Sequence, residues 1–123
     1  MNNKLSPHVT IYKFPITAIS SISTRVSGVY FTGLFIGGGI TKYFNKDKEI
    51  LQIYDKLDGS IKKIFNYSII VPITYHTYGG IRHFIWDKYP SLLNNKNVTK
   101  HSYMLFGGTF ITSILIESIL QYI

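Results

Sequence analysis

The chain has 123 residues, 46% of them hydrophobic and 15% aromatic, and carries a formal net charge of +7 with no cysteine. That length suffices for one domain, the apolar content is high for a soluble one, and the lack of cysteine excludes disulfides and thiolate metal sites while leaving the redox compartment open. A charge this positive would ordinarily raise nucleic acid as a partner, but the lysines collect at the edges of three apolar runs, 26–43, 64–81 and 103–123, as expected beside lipid headgroups or acidic partner surfaces and not nucleic acid.

Each run is long enough to cross a hydrocarbon core of about 30 Å, which takes about 20 residues. The expected fold class is an all-α membrane protein, a single membrane-anchor domain over residues 1–123. It has an extended N-terminal arm at 1–15, three transmembrane helices at about 20–44, 61–88 and 101–123, and a short amphipathic helix in the first loop. Three such helices use up most of the chain, so any large enzymatic site must belong to partner subunits.

Residues 5–12 read as extended, because Pro7 moves Ser6 out of the helical region and β-branched residues follow. His8 is read there as a surface or interface residue. The first twelve residues lack both the apolar stretch of a signal peptide and the arginine-rich pattern of a transit peptide. Two arginines against eleven lysines, with many Ile, Asn, Tyr and Phe, suggest an AT-rich coding genome. If the compartment is a mitochondrion, the gene is expected to reside there; a bacterial plasma membrane is the alternative.

Pro15 suits the first turn of a helix, and residues 20–24 lead into the first span. Ser21 and Arg25 are spaced i, i+4 and share a face that Gly28 and Thr32 continue. Arg25 is either an interfacial side chain reaching lipid phosphates or one turned inward towards an anionic or quinone ligand with the Ser21 hydroxyl beside it. Further along, Gly33 and Gly37 form a small-xxx-small pair, extended by Gly38 and Gly39, that predicts close packing with another helix. In the polar stretch after it, Ile50, Ile53, Tyr54 and Leu57 recur at helical spacing before Asp58 and Gly59, which predicts the short surface helix.

The second run holds the chain's chemistry. Pro72 should kink the helix one turn before His76. His76, Gly79, Gly80 and His83 then fall at i, i+3, i+4 and i+7, which puts two imidazoles on one face, about 10.5 Å apart along the axis, with only glycine between them. A haem laid on such a flat patch could take its iron ligand from one histidine and hydrogen-bond its propionates near the other. Arg82 and His83 close the run, and Trp86 and Tyr89 supply rings of the kind that mark a membrane interface.

His101 opens the third run and is read as interfacial, while Gly107 and Gly108 invite close packing. Glu117 is an intramembrane acid, a functional candidate by default, although its position near the chain end favours a hydrogen-bonded interfacial carboxyl. Charge barely orients the chain, with seven basic residues on the N-terminal side and six in the first loop. Three spans nevertheless bring Arg25, Arg82 and His83 to one membrane face.

These residues carry a resemblance. Residues 6–12, SPHVTIY, resemble an SPH-x-TIY arm; 21–28, SISTRVSG, are similar to an S-x-x-H-R-x-S-G entering helix; and 76–87, HTYGGIRHFIWD, resemble the H-x-x-x-G-I-R-H-x-x-W-D signature of the cytochrome b560 subunit of succinate dehydrogenase, the larger membrane anchor of respiratory complex II. The motifs cover about a third of the chain, in family order. The resemblance implies a multi-pass subunit of the mitochondrial inner membrane, serving electron transport and the tricarboxylic acid cycle. Its implied partners are membrane lipids, a second small membrane anchor, an iron–sulfur subunit and a flavoprotein that oxidises succinate.

It further implies haem b as cofactor and ubiquinone as substrate. His76 matches the axial haem-iron ligand, with the second axial histidine coming from the other anchor. Arg25, His83 and Arg82 match positions near the haem propionates, and Ser21 and Arg25 match the quinone pocket. Arg82 and Asp87 match positions that hold helix ends and dock the iron–sulfur subunit. No residue of the chain is implied to be catalytic, and the subunit does not oxidise succinate by itself. Thr24 departs from the pattern: the family has histidine there, so one contact to the haem edge is missing or replaced by a hydroxyl. A haem-free structural anchor of the same complex, or an unrelated three-helix membrane protein whose histidines pack or carry protons, are the competing readings.

Overall fold

The computed structural model describes residues 13–122. The expected arm over residues 5–12, with His8, lies outside the described residues, as does Ile123. In chain order the elements are α1 (Ile16–Tyr43), α2 (Asp47–Asp55), α3 (Gly59–Lys88), a single 3-10 turn at Pro90–Leu92, and α4 (Asn95–Leu120). Among the described residues there is no strand. At about 1.5 Å per residue, the 28, 30 and 26 residues of α1, α3 and α4 each exceed the thickness of a hydrocarbon core.

Local signals explain the boundaries. The Pro15 carbonyl accepts from the amides of Ala18 and Ile19 at the start of α1. Asn45, at φ 56°, reverses the chain after α1; asparagine tolerates this left-handed conformation better than most residues. Asp58 caps α3 by accepting from the Ser60 amide at 3.0 Å, and Asn94 caps α4 by accepting from the Asn97 amide at 2.9 Å. The α3 helix runs through Pro72 without a break, and just beyond it the Thr74 hydroxyl donates to the carbonyls of Ile70 and Val71. The nine-residue α2 occupies the predicted surface-helix segment, its Asp47 paired with Lys42 and its Glu49 with Lys46, all near the surface.

The central helix is α3, which packs against both α1 and α4, while α1 and α4 also touch. The interior is inverted relative to a water-soluble bundle. Among the described residues the buried apolar ones are Ile70, Tyr75 and Leu105, whereas Ser20, Thr24, Ser27, Thr74, Arg82, Ser102, Thr109, Ser113 and Glu117 are all buried. Large apolar side chains such as Val29, Phe35, Phe84, Phe110 and Ile111 point outward instead. Water would penalise that arrangement, whereas lipid leaves apolar surface at no cost and rewards hydroxyls that bond between helices.

Three hydroxyl pairs make such bonds: Ser20 to Ser102 at 3.0 Å, Thr74 to Ser113 at 3.1 Å and Tyr78 to Thr112 at 2.7 Å. Each is worth roughly 0.6 kcal/mol in a membrane. By length and composition, α4 qualifies as a membrane span, with mean hydropathy 1.6 over its most apolar window. The other two long helices are diluted by the Ser, Thr, Gly and Tyr that line the interior or the glycine-rich surface. Gly33, Gly37, Gly38 and Gly39 face open space, so the small-residue pair of α1 packs against no other helix among the described residues.

Candidate functional site

The close approach in the bundle lies lower on α1, where two glycines from different helices interlock with two side chains. A β-carbon at Gly28 would lie 2.7 Å from His76 Cε1, and one at Gly79 would lie 2.6 Å from Thr24 Cγ2. So α1 gives a glycine to the imidazole of α3, and α3 gives a glycine to the threonine of α1. The expected bare patch between the two histidines is therefore only partly free: Gly79 is buried beneath Thr24, while Gly80 is open.

His76 is half-buried at this seam, with Nδ1 at 3.0 Å from the Thr24 carbonyl and 3.5 Å from Ser27 Oγ. A carbonyl can only accept, so Nδ1 carries the proton and the Ser27 hydroxyl, donating to the same carbonyl at 2.8 Å, turns its oxygen towards the ring. In the neutral imidazole the other nitrogen, Nε2, then keeps its lone pair. This is how a protein orients a histidine for a metal: the remote N–H is fixed by an acceptor, which sets both tautomer and ring direction.

The remaining predicted residues divide between two places. Ser21 is half-buried and Arg25 exposed, on the α1 face that leads to Gly28 and hence to His76. His83, two turns beyond His76, is exposed and meets Trp86 edge-on with centroids 5.6 Å apart. Asp87 is exposed. Arg82 goes elsewhere. Six residues past His76 is a rotation of about 240°, which carries its side chain off the histidine face and into the junction of α1, α3 and α4. There it is 7% exposed, with Nη1 donating to Ser20 Oγ at 2.9 Å and lying 3.4 Å from Ser102 Oγ.

Several of these partners are invisible in a motif reading. Ser20 and Ser102 bond each other and receive Arg82, and the Tyr75 hydroxyl donates to the Ser20 carbonyl at 3.1 Å. Trp86 Nε1 donates to His101 Nδ1 at 3.0 Å, so the two residues expected to mark the interface separately form one unit. Glu117 is hydrogen-bonded, as expected of it, but it is only 2% exposed: its Oε1 accepts from Asn66 at 3.4 Å and Gln121 at 3.1 Å. The available signal was helical spacing of small polar residues, at 20, 24 and 27 on α1 and at 102, 109, 113 and 117 on α4.

A helical bundle with a polar interior and an apolar exterior defines a class of membrane-embedded subunits. A family model describing the succinate dehydrogenase/fumarate reductase transmembrane subunit matches residues 1–116, and the chain belongs to that family. It is 31% identical over 119 residues to the succinate dehydrogenase cytochrome b560 subunit of Marchantia polymorpha, covering 90% of this chain and 86% of that one. Against the Porphyra purpurea subunit of the same name it is 30% identical over 115 residues, covering 90% and 91%. The mitochondrial b560 subunit of Dictyostelium discoideum is 35% identical over 88 residues, 68% of this chain but 44% of that protein. The chain thus spans most of some relatives and less than half of another. The family places it in a membrane.

Proposed function

We propose that the chain is a membrane-anchor cytochrome b subunit of a succinate:ubiquinone oxidoreductase, with three membrane spans in a mitochondrial inner membrane. A second small anchor completes the haem b site, and an iron–sulfur subunit and a flavoprotein dock on the face bearing Arg25, His83 and Asp87. The flavoprotein carries succinate oxidation; this chain contributes binding and orientation.

The observation that carries the reading is the fixed tautomer of His76. Its Nδ1–H is taken by the Thr24 carbonyl, its ring is seated on Gly28, and Nε2, 3.5 Å from where a Gly28 β-carbon would lie, is left without a hydrogen-bond partner among the described residues. Those features fit a planar cofactor ligated by one imidazole. Haem b bound there supplies a one-electron carrier within the membrane. Arg25 and His83, exposed on the same side of the chain, provide the positive charge and N–H donors that propionates require in a low-dielectric setting. Arg82 is turned away from that face, so propionate binding is assigned to the other two.

Ser21 and Arg25 bind the quinone head through hydroxyl and guanidinium donors to its carbonyl oxygens. Their position at the end of α1 keeps the reacting oxygens near an aqueous face from which protons can arrive. Thr24, in place of the family's histidine, leaves one donor fewer at the cofactor edge and instead packs on Gly79. The test is isolation of the intact complex in mild detergent. This chain is expected to co-purify with a flavoprotein and an iron–sulfur protein, with one b-type haem per complex by pyridine haemochrome; isolation without a flavoprotein would reject the assignment.

A further inference from the structure

Arg82 is a buried cation with no anion. Among the described residues it forms no ion pair, both of its hydrogen bonds leave from Nη1 to neutral hydroxyls, and its Nε–H is buried without an acceptor. The chain cannot readily supply the missing charge. Residues 1–12 contain no Asp or Glu, Asp47, Glu49, Asp55 and Asp58 lie at the opposite end of α3, and Glu117 lies fifteen residues along α4 from Ser102. Asp87 is at the right end but exposed. A guanidinium removed from water is costly unless an anion or a set of acceptors meets it.

Beside Arg82 a cavity of about 310 Å³ opens between α3 and α4. Its outer end is formed by Arg82, Trp86 and His101, and its inner end by Ile81, Met104 and Gly108. The Arg82 guanidinium lies 4.7 Å from the centre of the Trp86 ring, which holds it towards this side. Because Trp86 Nε1–H donates to His101 Nδ1, a neutral His101 carries its own proton on Nε2 and has a donor to give. Ile81 and Met104 are 51% and 62% exposed, so the apolar part of the groove is open to the surroundings of the bundle. One end thus offers a cation and N–H donors at the depth of the tryptophan, and the rest offers hydrocarbon contact.

We propose that the α3–α4 groove binds one anionic phospholipid, its phosphate oxygens accepting from Arg82 and His101 and an acyl chain lying along Ile81, Met104 and Gly108. Charge complementarity selects an anionic headgroup, and the polar-to-apolar gradient along the groove selects a lipid over a free anion. The site is separate from the histidine seam and does not depend on haem or quinone binding there.

The test is native mass spectrometry of the intact complex after delipidation and addition of phosphatidylglycerol, phosphatidylcholine or inorganic phosphate, with wild type, Arg82→Gln and Met104→Trp compared. Wild type should retain one phosphatidylglycerol and no phosphatidylcholine. Arg82→Gln should lower that occupancy about tenfold, the scale of one charge-assisted contact. Met104→Trp fills the groove at an exposed position and leaves the bonds of Arg82 untouched, so it decides the matter if Arg82→Gln fails to assemble; it should abolish retention. The proposal is overturned if wild type retains no phosphatidylglycerol, if both lipids are held equally, if Met104→Trp holds lipid as wild type does, or if only inorganic phosphate binds.

Discussion

The imidazole of His76 rests on the backbone of Gly28, so closely that a β-carbon at position 28 would lie 2.7 Å from Cε1 and 3.1 Å from Nδ1. The same ring is tied through Nδ1 to the Thr24 carbonyl, one helical turn before Gly28. Packing and hydrogen bonding therefore fix His76 from two directions. The ring cannot retreat from position 28 without losing the bond that sets its tautomer.

This predicts that Gly28→Ala displaces His76 and lowers haem content in the assembled complex, with a packing cost of about 1–3 kcal/mol. Gly37→Ala, on the same helix as Gly28 but facing open space and away from His76, is the control and should bind haem as wild type does. Haem-to-protein ratios of the two variants check the contrast.

Arg25→Ala should cut quinone reductase activity at least tenfold while succinate oxidation with an artificial acceptor is retained, because the side chain is exposed and supports no packing. Loss of a charge-assisted donor is worth roughly 1.5–3 kcal/mol. Equal loss of both activities would place Arg25 in assembly and not at the quinone.

Ser20→Ala should destabilise the bundle more than Ser102→Ala. The Arg82 guanidinium is 2.9 Å from Ser20 Oγ and 3.4 Å from Ser102 Oγ. Removing the nearer acceptor leaves a buried cation with its weaker contact alone, at roughly 1–3 kcal/mol. Because the two hydroxyls also bond each other, the double variant should cost less than the sum of the single ones. Thermal unfolding of the complex in detergent reads this order.

Glu117→Ala leaves the Asn66 and Gln121 amides without their shared acceptor and should cost about 1–3 kcal/mol. Glu117→Gln keeps a carbonyl oxygen in the Oε1 position and should cost less. Thermal stability of the two variants separates them, and a larger loss in Glu117→Gln would show that the carboxyl has a role its two amide partners do not account for.

What could be read from the sequence was the set of apolar runs, the helical spacing of His76 and His83, and the motifs that carry the family. Those features are local, or separated by fixed numbers of residues along one helix. The Gly28–His76 and Gly79–Thr24 contacts cross between helices, and no periodicity within α1 or α3 contains them. The glycine-rich stretch at 33–39 looked like the packing seam because it has the right spacing, yet the seam formed where serine and threonine alternate with single glycines. Hydrophobicity alone does not tell which side chains face inward. In a lipid-embedded bundle the apolar residues mark the outside, and Ser20, Ser102 and Ser113, which no motif singles out within the predicted spans, form the interior. The separation of Arg82 from His83 was legible from helix geometry, since adjacent residues point about 100° apart.

The most direct test of the account is the dithionite-reduced minus oxidised optical spectrum of the purified complex carrying His76→Ala, set beside wild type. Ligation through Nε2 of His76 predicts a b-type α-band in wild type that is lost or converted to a high-spin spectrum in the variant, with the subunits still assembled. An unchanged α-band in His76→Ala, or no haem in a wild-type complex that reduces quinone, would contradict it and leave His76 as a packing residue against Gly28.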